Sequence, residues 1–168
     1  MNAMPWPRWI DEAWKVNLRE VAPGIFVGGH FSVRRFHPGR MTGVVALSRE
    51  RVGEPPDLTS FYAALPRERL VWAPMEDGEG IAGQTLDRAL SLARSASAER
   101  PLLIHCQAGL SRSVSVAYGV LRILYGLSSD EALARVRGSR DTTFPLSITL
   151  RSARTWVDRR RAAASVLA

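Results

Sequence analysis

The segment that most constrains the fold is PLLIHCQAGLSRSVSVAYGVLRILYG, residues 101–126. A short apolar run passes through a tight, glycine-containing loop into a helical pattern. In that pattern Val114, Val116, Ala117, Val120, Leu121, Ile123 and Leu124 occupy most of the helix circumference. A helix that is apolar nearly all round must be buried on nearly all sides, so the rest of the chain has to supply its cover. Three further short runs, GIFVG (24–28), TGVVALS (42–48) and RLVWAPM (69–75), join PLLIHC (101–106) as predicted strands, each bounded by Gly, Pro or charge. Between the last two, residues 83–98 place Leu86, Ala89, Leu90, Ala93 and Ala96 at helical spacing, which predicts a crossover helix. Gly126 is the expected stop of the apolar helix. Residues 128–138 follow with Ser129 as the cap candidate and acids in the first turn, and a last helix runs from about Pro145 with Leu146, Leu150, Ala153 and Val157 in one stripe. Strands alternating with helices predict a single-domain α/β fold: a central, mostly parallel sheet of about five strands flanked by helices.

At 168 residues the chain suits one domain with a continuous core. The expected layout is an arm over residues 1–19, the domain over 20–160 and a tail over 161–168. The arm carries Trp6, Trp9 and Trp14 and is expected to fold back over the domain. With 46% hydrophobic and 23% charged residues, the composition is that of a globular protein with no membrane span. No basic leader precedes an apolar block, because Asp11 and Glu12 interrupt it, so the default location is cytoplasmic. One cysteine and three histidines fall short of a zinc framework, and neither metal nor cofactor is expected. The net charge of +7 invites an anionic partner, yet 22 of the 23 basic residues are arginine, with Lys15 the exception, which fits a codon bias. The basic cluster at 158–162 lacks interleaved aromatics, so nucleic acid is not an expected partner. GEGIAG (78–83) fits a dinucleotide-binding fingerprint, but it follows the third strand rather than the first and is set aside.

The lone cysteine, Cys106, stands where the strand gives way to the apolar helix. A loop in that position can curl the backbone N–H groups of Gln107, Ala108, Gly109, Leu110, Ser111 and Arg112 around an anion, with the positive end of the helix dipole behind them. The same field favours a thiolate at Cys106, which a serine could not match. Gly109 lets the loop turn tightly, and Arg112 offers a planar fork for two oxygens of a phosphate. A nucleophile and an oxyanion cradle are two of the three parts that phosphomonoester cleavage needs, the third being an acid for the leaving oxygen.

His105-Cys106-Gln107-Ala108-Gly109-Leu110-Ser111-Arg112-Ser113 matches the HCxxGxxR(S/T) signature, and HCQAGLSRS resembles the dual-specificity phosphatases of the cysteine-based protein tyrosine phosphatase superfamily. The resemblance covers about residues 20–157, with EVAPGIFVGG like the opening strand and residues 130–140 like the helix after the loop. RDTTFP (140–145) departs from the Arg-Pro and asparagine that many relatives carry. The resemblance implies a phosphocysteine mechanism without a cofactor, Cys106 as nucleophile, Arg112 and the loop amides as the phosphate cradle, and a phosphorylated protein as substrate. It also implies that His105 orients the loop and that Ser113 hydrogen-bonds the thiolate as the phosphoenzyme breaks down. The family places its general-acid aspartate just past a strand end, where this chain has Asp77 in WAPMEDGEG; Glu76 and Glu79 are competitors. Gln107, Ala108, Leu110 and Ser111 add no positive charge to the loop, which points to phosphotyrosine and phosphoserine/threonine. Phosphoinositide or RNA 5′-phosphate hydrolysis, a phosphate-binding module without turnover, and a sulfurtransferase stand as alternatives.

Overall fold

A computed structural model of the chain describes residues 17–49, 58–76, 78–137, 145 and 147–168. The tryptophans of the arm, Asp77, Leu146 and most of the RDTTFP loop lie outside the described residues.

Five strands form one sheet in the order β1-β2-β5-β3-β4. They are β1 (Arg19–Ala22), β2 (Ile25–Gly28), β3 (Gly43–Ala46), β4 (Leu70–Trp72) and β5 (Leu102–His105). β1 and β2 form an antiparallel hairpin through Pro23 and Gly24, whereas β2, β5, β3 and β4 run parallel. The sheet is therefore mostly parallel, as predicted, and its fifth strand is β1. The central strand β5 is buried at all four positions, as are all of β3. A parallel strand covered on both faces needs a continuous apolar run rather than an alternating one, and LLIH and GVVA supply it.

Helices cover both faces unequally. α1 (Thr59–Ala63) and the 3-10 turns at His30–Arg35 and Pro38–Arg40 lie with one core cluster, formed around Val33, Met41, Val44, Ala46 and Leu103. The larger cluster on the other face joins Val45, Ile104 and Leu102 to α2 (Gly83–Ala93), α3 (Arg112–Leu124), α4 (Ser129–Arg137) and α5 (Ser147–Val166). α3 is the predicted all-round apolar helix. Its first ten residues are buried, and Val114, Val116, Val120 and Leu121 are wholly so, each worth about 1.5–3 kcal/mol of apolar burial. The strand period sets the two clusters apart: Leu103 and His105 face the α1 side, and Leu102 and Ile104 the α3 side.

One boundary differs from expectation. The cap of α4 is Ser128, not Ser129. Ser128 Oγ accepts the Glu131 N–H at 3.2 Å, and Glu131 Oε2 accepts the Ser128 N–H at 2.8 Å. Glu131 stands three residues after Ser128, so only Ser128 can close this reciprocal box, and these bonds hold the Glu131 carboxyl below its ordinary range. Ser129 is instead the first helical residue, its Oγ 2.9 Å from the Tyr118 hydroxyl. α5 runs unbroken across residue 160 as far as Val166, and buries Trp156 beside the predicted Leu150, Ala153 and Val157. No helix among the described residues is long and apolar enough to cross a membrane.

Candidate active site

The loop at 106–111 leaves the C-terminal end of β5 and enters α3 at Arg112. Cys106, 2% exposed, stands at its start. Two groups converge on the sulfur: the Gly109 N–H donates to Sγ at 3.3 Å, and Ser113 Oγ, from the first turn of α3, lies at 3.2 Å. The sulfur also sits at the positive end of α3, where partial charge of about half a unit favours an anion.

The outward carbonyls explain the inward amides. Gln107 O accepts the His30 N–H at 2.8 Å. Ala108 O accepts from Asn17 Nδ2 at 3.0 Å, and Gly109 O accepts from the same nitrogen at 3.3 Å and from both terminal nitrogens of Arg19 at 3.2 Å. In a planar trans peptide the N–H points opposite to the preceding carbonyl, so the amides of Ala108, Gly109 and Leu110 face away from these donors. That of Gly109 is the one seen on the sulfur. The loop also packs hard against the end of β2: Gly109 has φ +70, and a Cβ there would stand 2.6 Å from the Gly28 carbonyl carbon.

Arg112 is 7% exposed, and its Nη1 donates to Met75 O at 2.7 Å and Leu47 O at 3.3 Å, just beyond β4 and β3. The guanidinium thus holds the segment leading to Asp77 against the loop. His105 is wholly buried. Its Nε2 lies 2.7 Å from the Tyr62 hydroxyl with the two rings nearly parallel, and its Nδ1 lies 3.4 Å from Cys106 O. One neutral tautomer serves both contacts, Nε2 accepting from Tyr62 and Nδ1–H donating to the carbonyl. Ser111 is buried at the start of α3, Gln107 is exposed, and Ala108 and Leu110 are half-buried beside it.

Asp77 lies outside the described residues, but its neighbours do not. Glu79 Oε2 accepts the Glu76 N–H at 2.9 Å, and the Glu76 carboxylate lies 3.6 Å from Arg49 Nε. α5 holds the far side of the segment, with Thr149 Oγ1 donating to Glu79 O at 3.0 Å and Ser152 Oγ accepting the Ile81 N–H at 2.8 Å.

The structure places Cys106, Gly109, Arg112, Ser113 and His105, all singled out from the sequence, around one loop, and it adds three supports that sequence reading misses. Asn17 and Arg19 sit in the stretch assigned to the arm, and Tyr62 in a stretch without a motif. Their only sequence signal is residue type, since an amide, a guanidinium and a phenol can each reach a backbone or ring acceptor.

No protein-family model and no curated protein sequence matches the chain. Solved structures do. Tk-PTP in its active form superposes with a TM-score of 0.65 at 20% identity over 85% of this chain and 97% of that one. Human DUSP28 gives 0.64 at 19% identity, covering 86% and 95%. PTPMT1 in complex with PI(5)P gives 0.70 at 15% identity, covering 88% and 99%. Nearly the whole of each chain finds its counterpart here: the chain has the fold of the dual-specificity phosphatases within the cysteine-based protein tyrosine phosphatase superfamily.

Proposed function

We propose that the chain is a cysteine-dependent phosphatase that cleaves phosphotyrosine and phosphoserine/threonine in proteins. The observation that carries this is the pair of contacts on Cys106 Sγ, the Gly109 N–H donating at 3.3 Å and the Ser113 hydroxyl at 3.2 Å. A sulfur held in this way, at the end of a strand and the start of a helix, is placed as a nucleophile toward whatever the loop holds. In the proposed reaction the Cys106 thiolate attacks phosphorus in line, the S–P bond forms as the P–O bond breaks, and Asp77 passes its proton to the leaving oxygen. Arg112 stabilises the phosphoryl oxygens, its plane set by the Met75 and Leu47 carbonyls. Asp77, now a carboxylate, takes a proton from water, the hydroxide attacks phosphorus, and the S–P bond breaks with Ser113 donating to the departing sulfur.

The engagement of Glu76 with Arg49, and of Glu79 with a backbone N–H, supports Asp77 over its two neighbours as the acid. The uncharged loop positions Gln107, Ala108, Leu110 and Ser111 favour protein substrates. The likeness to PTPMT1, whose structure contains PI(5)P, favours a phosphoinositide as the second reading.

The test is hydrolysis of p-nitrophenyl phosphate, with thiosulfate as the sulfurtransferase control. Cys106→Ser is expected to abolish turnover while retaining phosphate binding, and Asp77→Ala to slow it far more than Glu76→Gln or Glu79→Gln. Normal turnover by the serine variant would overturn the mechanism. A panel of phosphopeptides and short-chain PI(5)P then separates the two substrate readings.

A further inference from the structure

At the opposite end of the sheet from Cys106, an open hollow of about 970 Å³ is lined by Arg35, Arg40, Arg69 and Arg100, with His37 and Glu99 beside them. The four arginines come from the chain just before β3, β4 and β5: two from the 3-10 turns ahead of β3, one from each segment entering β4 and β5. Because those strands are parallel, their N-terminal ends gather there as surely as their C-terminal ends gather at Cys106. The five steps of chain from Pro101 to Cys106 put the two sites about 16 Å apart.

Among the described residues none of these four guanidinium groups forms an ion pair, the recorded pairs being Arg49–Glu76 and Arg160–Asp87. The one carboxylate in the wall, Glu99, offsets a single one of these four charges. Glu99 is bound by its own backbone N–H and by the Ser97 hydroxyl, which hold it below its ordinary range. Four like charges around one concavity repel one another, and an anion with several charges is what relieves that. The backbone beneath is fixed. Thr42 Oγ1 lies 2.8 Å from Arg100 O and 3.0 Å from Ser95 O, the Thr42 N–H donates to Pro101 O at 2.9 Å, and Ser97 and Arg100 exchange backbone bonds. Met41, wholly buried, forms part of the floor.

We propose that this hollow is a second anion site, separate from the cysteine loop, that takes a compact group bearing several phosphates. Arginines gathered around one open hollow suit a small polyphosphate better than an extended nucleic acid, which needs a charged track with stacking side chains along it. The size is in the range of small-ligand sites, and arginine's planar fork matches phosphate oxygens two at a time. Four of the 23 basic residues thereby meet in one hollow.

The test is calorimetric titration of the full chain with tripolyphosphate and with inositol hexakisphosphate, alongside co-sedimentation with vesicles of phosphatidylcholine containing either a phosphoinositide bisphosphate or phosphatidylserine. Binding that weakens with salt and falls about tenfold in each of Arg40→Ala and Arg100→Ala is expected, with p-nitrophenyl phosphate hydrolysis unchanged. Retention on the bisphosphate vesicles alone would name a lipid headgroup as the source, and binding of the soluble anions alone a free polyphosphate. The proposal fails if neither variant changes the affinity, if no polyphosphate binds, or if a single-stranded oligonucleotide binds more tightly through the same arginines. Loss of hydrolysis with the hollow intact would count against the cysteine mechanism and leave this site standing.

Discussion

Gly109→Ala, set against Gly126→Ala, isolates what the cysteine loop demands of its backbone. Both glycines lie in the left-handed region, at φ +70 and +66, so an alanine meets the same conformational penalty at either place, about 1–2 kcal/mol. They differ in their surroundings. Beyond Gly126 a Cβ would find nothing within 4 Å, whereas at Gly109 it would stand 2.6 Å from the Gly28 carbonyl carbon and 2.8 Å from the Gly29 nitrogen. Those atoms are backbone at the end of β2 and cannot rotate aside, so the loop must move by about 0.8 Å to restore ordinary contact. A displacement near 1 Å in a positioned site costs about a hundredfold in rate. Gly126→Ala should therefore lower the melting temperature by about 2–8 °C with kcat/KM unchanged. Gly109→Ala should lower it further and cut kcat/KM for p-nitrophenyl phosphate by about two orders of magnitude. Scanning calorimetry and steady-state kinetics on the pair check both. If Gly109→Ala matches Gly126→Ala in melting temperature and keeps wild-type kinetics, the close approach of loop to β2 is not what shapes the site.

Tyr62→Phe keeps the ring stacked on His105 but removes the hydroxyl 2.7 Å from Nε2; a destabilisation of about 1–3 kcal/mol is expected by chemical denaturation, and an unchanged midpoint would remove Tyr62 from the support of the loop. Arg19→Met retains the stem while removing the bonds to Gly109 O and Val136 O, so kcat should fall by more than stability alone accounts for, and exogenous guanidinium should restore part of it. Asp87 accepts from Trp156 Nε1 at 3.0 Å and from Arg160, and these bonds lower its carboxyl below the ordinary value of 3.8. A depressed acid stabilises the fold above its unfolded value and loses that contribution as pH falls, so Asp87→Asn should be less stable than wild type at pH 5–7 by no more than about 1 kcal/mol for so exposed a pair, the two melting curves converging below pH 3.8.

The architecture was legible because its signals are local. LLIH and GVVA are continuous apolar runs, which is what strands covered on both faces require, and α3 has an apolar circumference that only a central helix can use. The placement of the cysteine loop was legible for the same reason, since Cys106, Gly109, Arg112 and Ser113 lie within eight residues and their contacts are fixed by one strand-to-helix turn. Even the misplaced cap was readable: Glu131 sits three residues from Ser128, and the reciprocal box follows from that spacing alone.

What the sequence hid are the bonds that close over long loops. Asn17 and Ala108 are 91 residues apart, Arg19 and Gly109 are 90, Tyr62 and His105 are 43. No periodicity links such pairs, and each partner is a backbone or ring acceptor that any donor of the right length could meet. Their consequence is nonetheless chemical. The carbonyls of the loop are held outward by donors from the first strand and the residues before it, and planarity then commits the following amides to the opposite side. A loop of this kind is shaped as much by what grips its outer surface as by the nine residues of its signature, and, on the proposed function, loosening the grip should cost rate before it costs the fold. The same long-range logic assembles the arginine hollow, whose four members are spread from position 35 to position 100 and meet because parallel strands begin together.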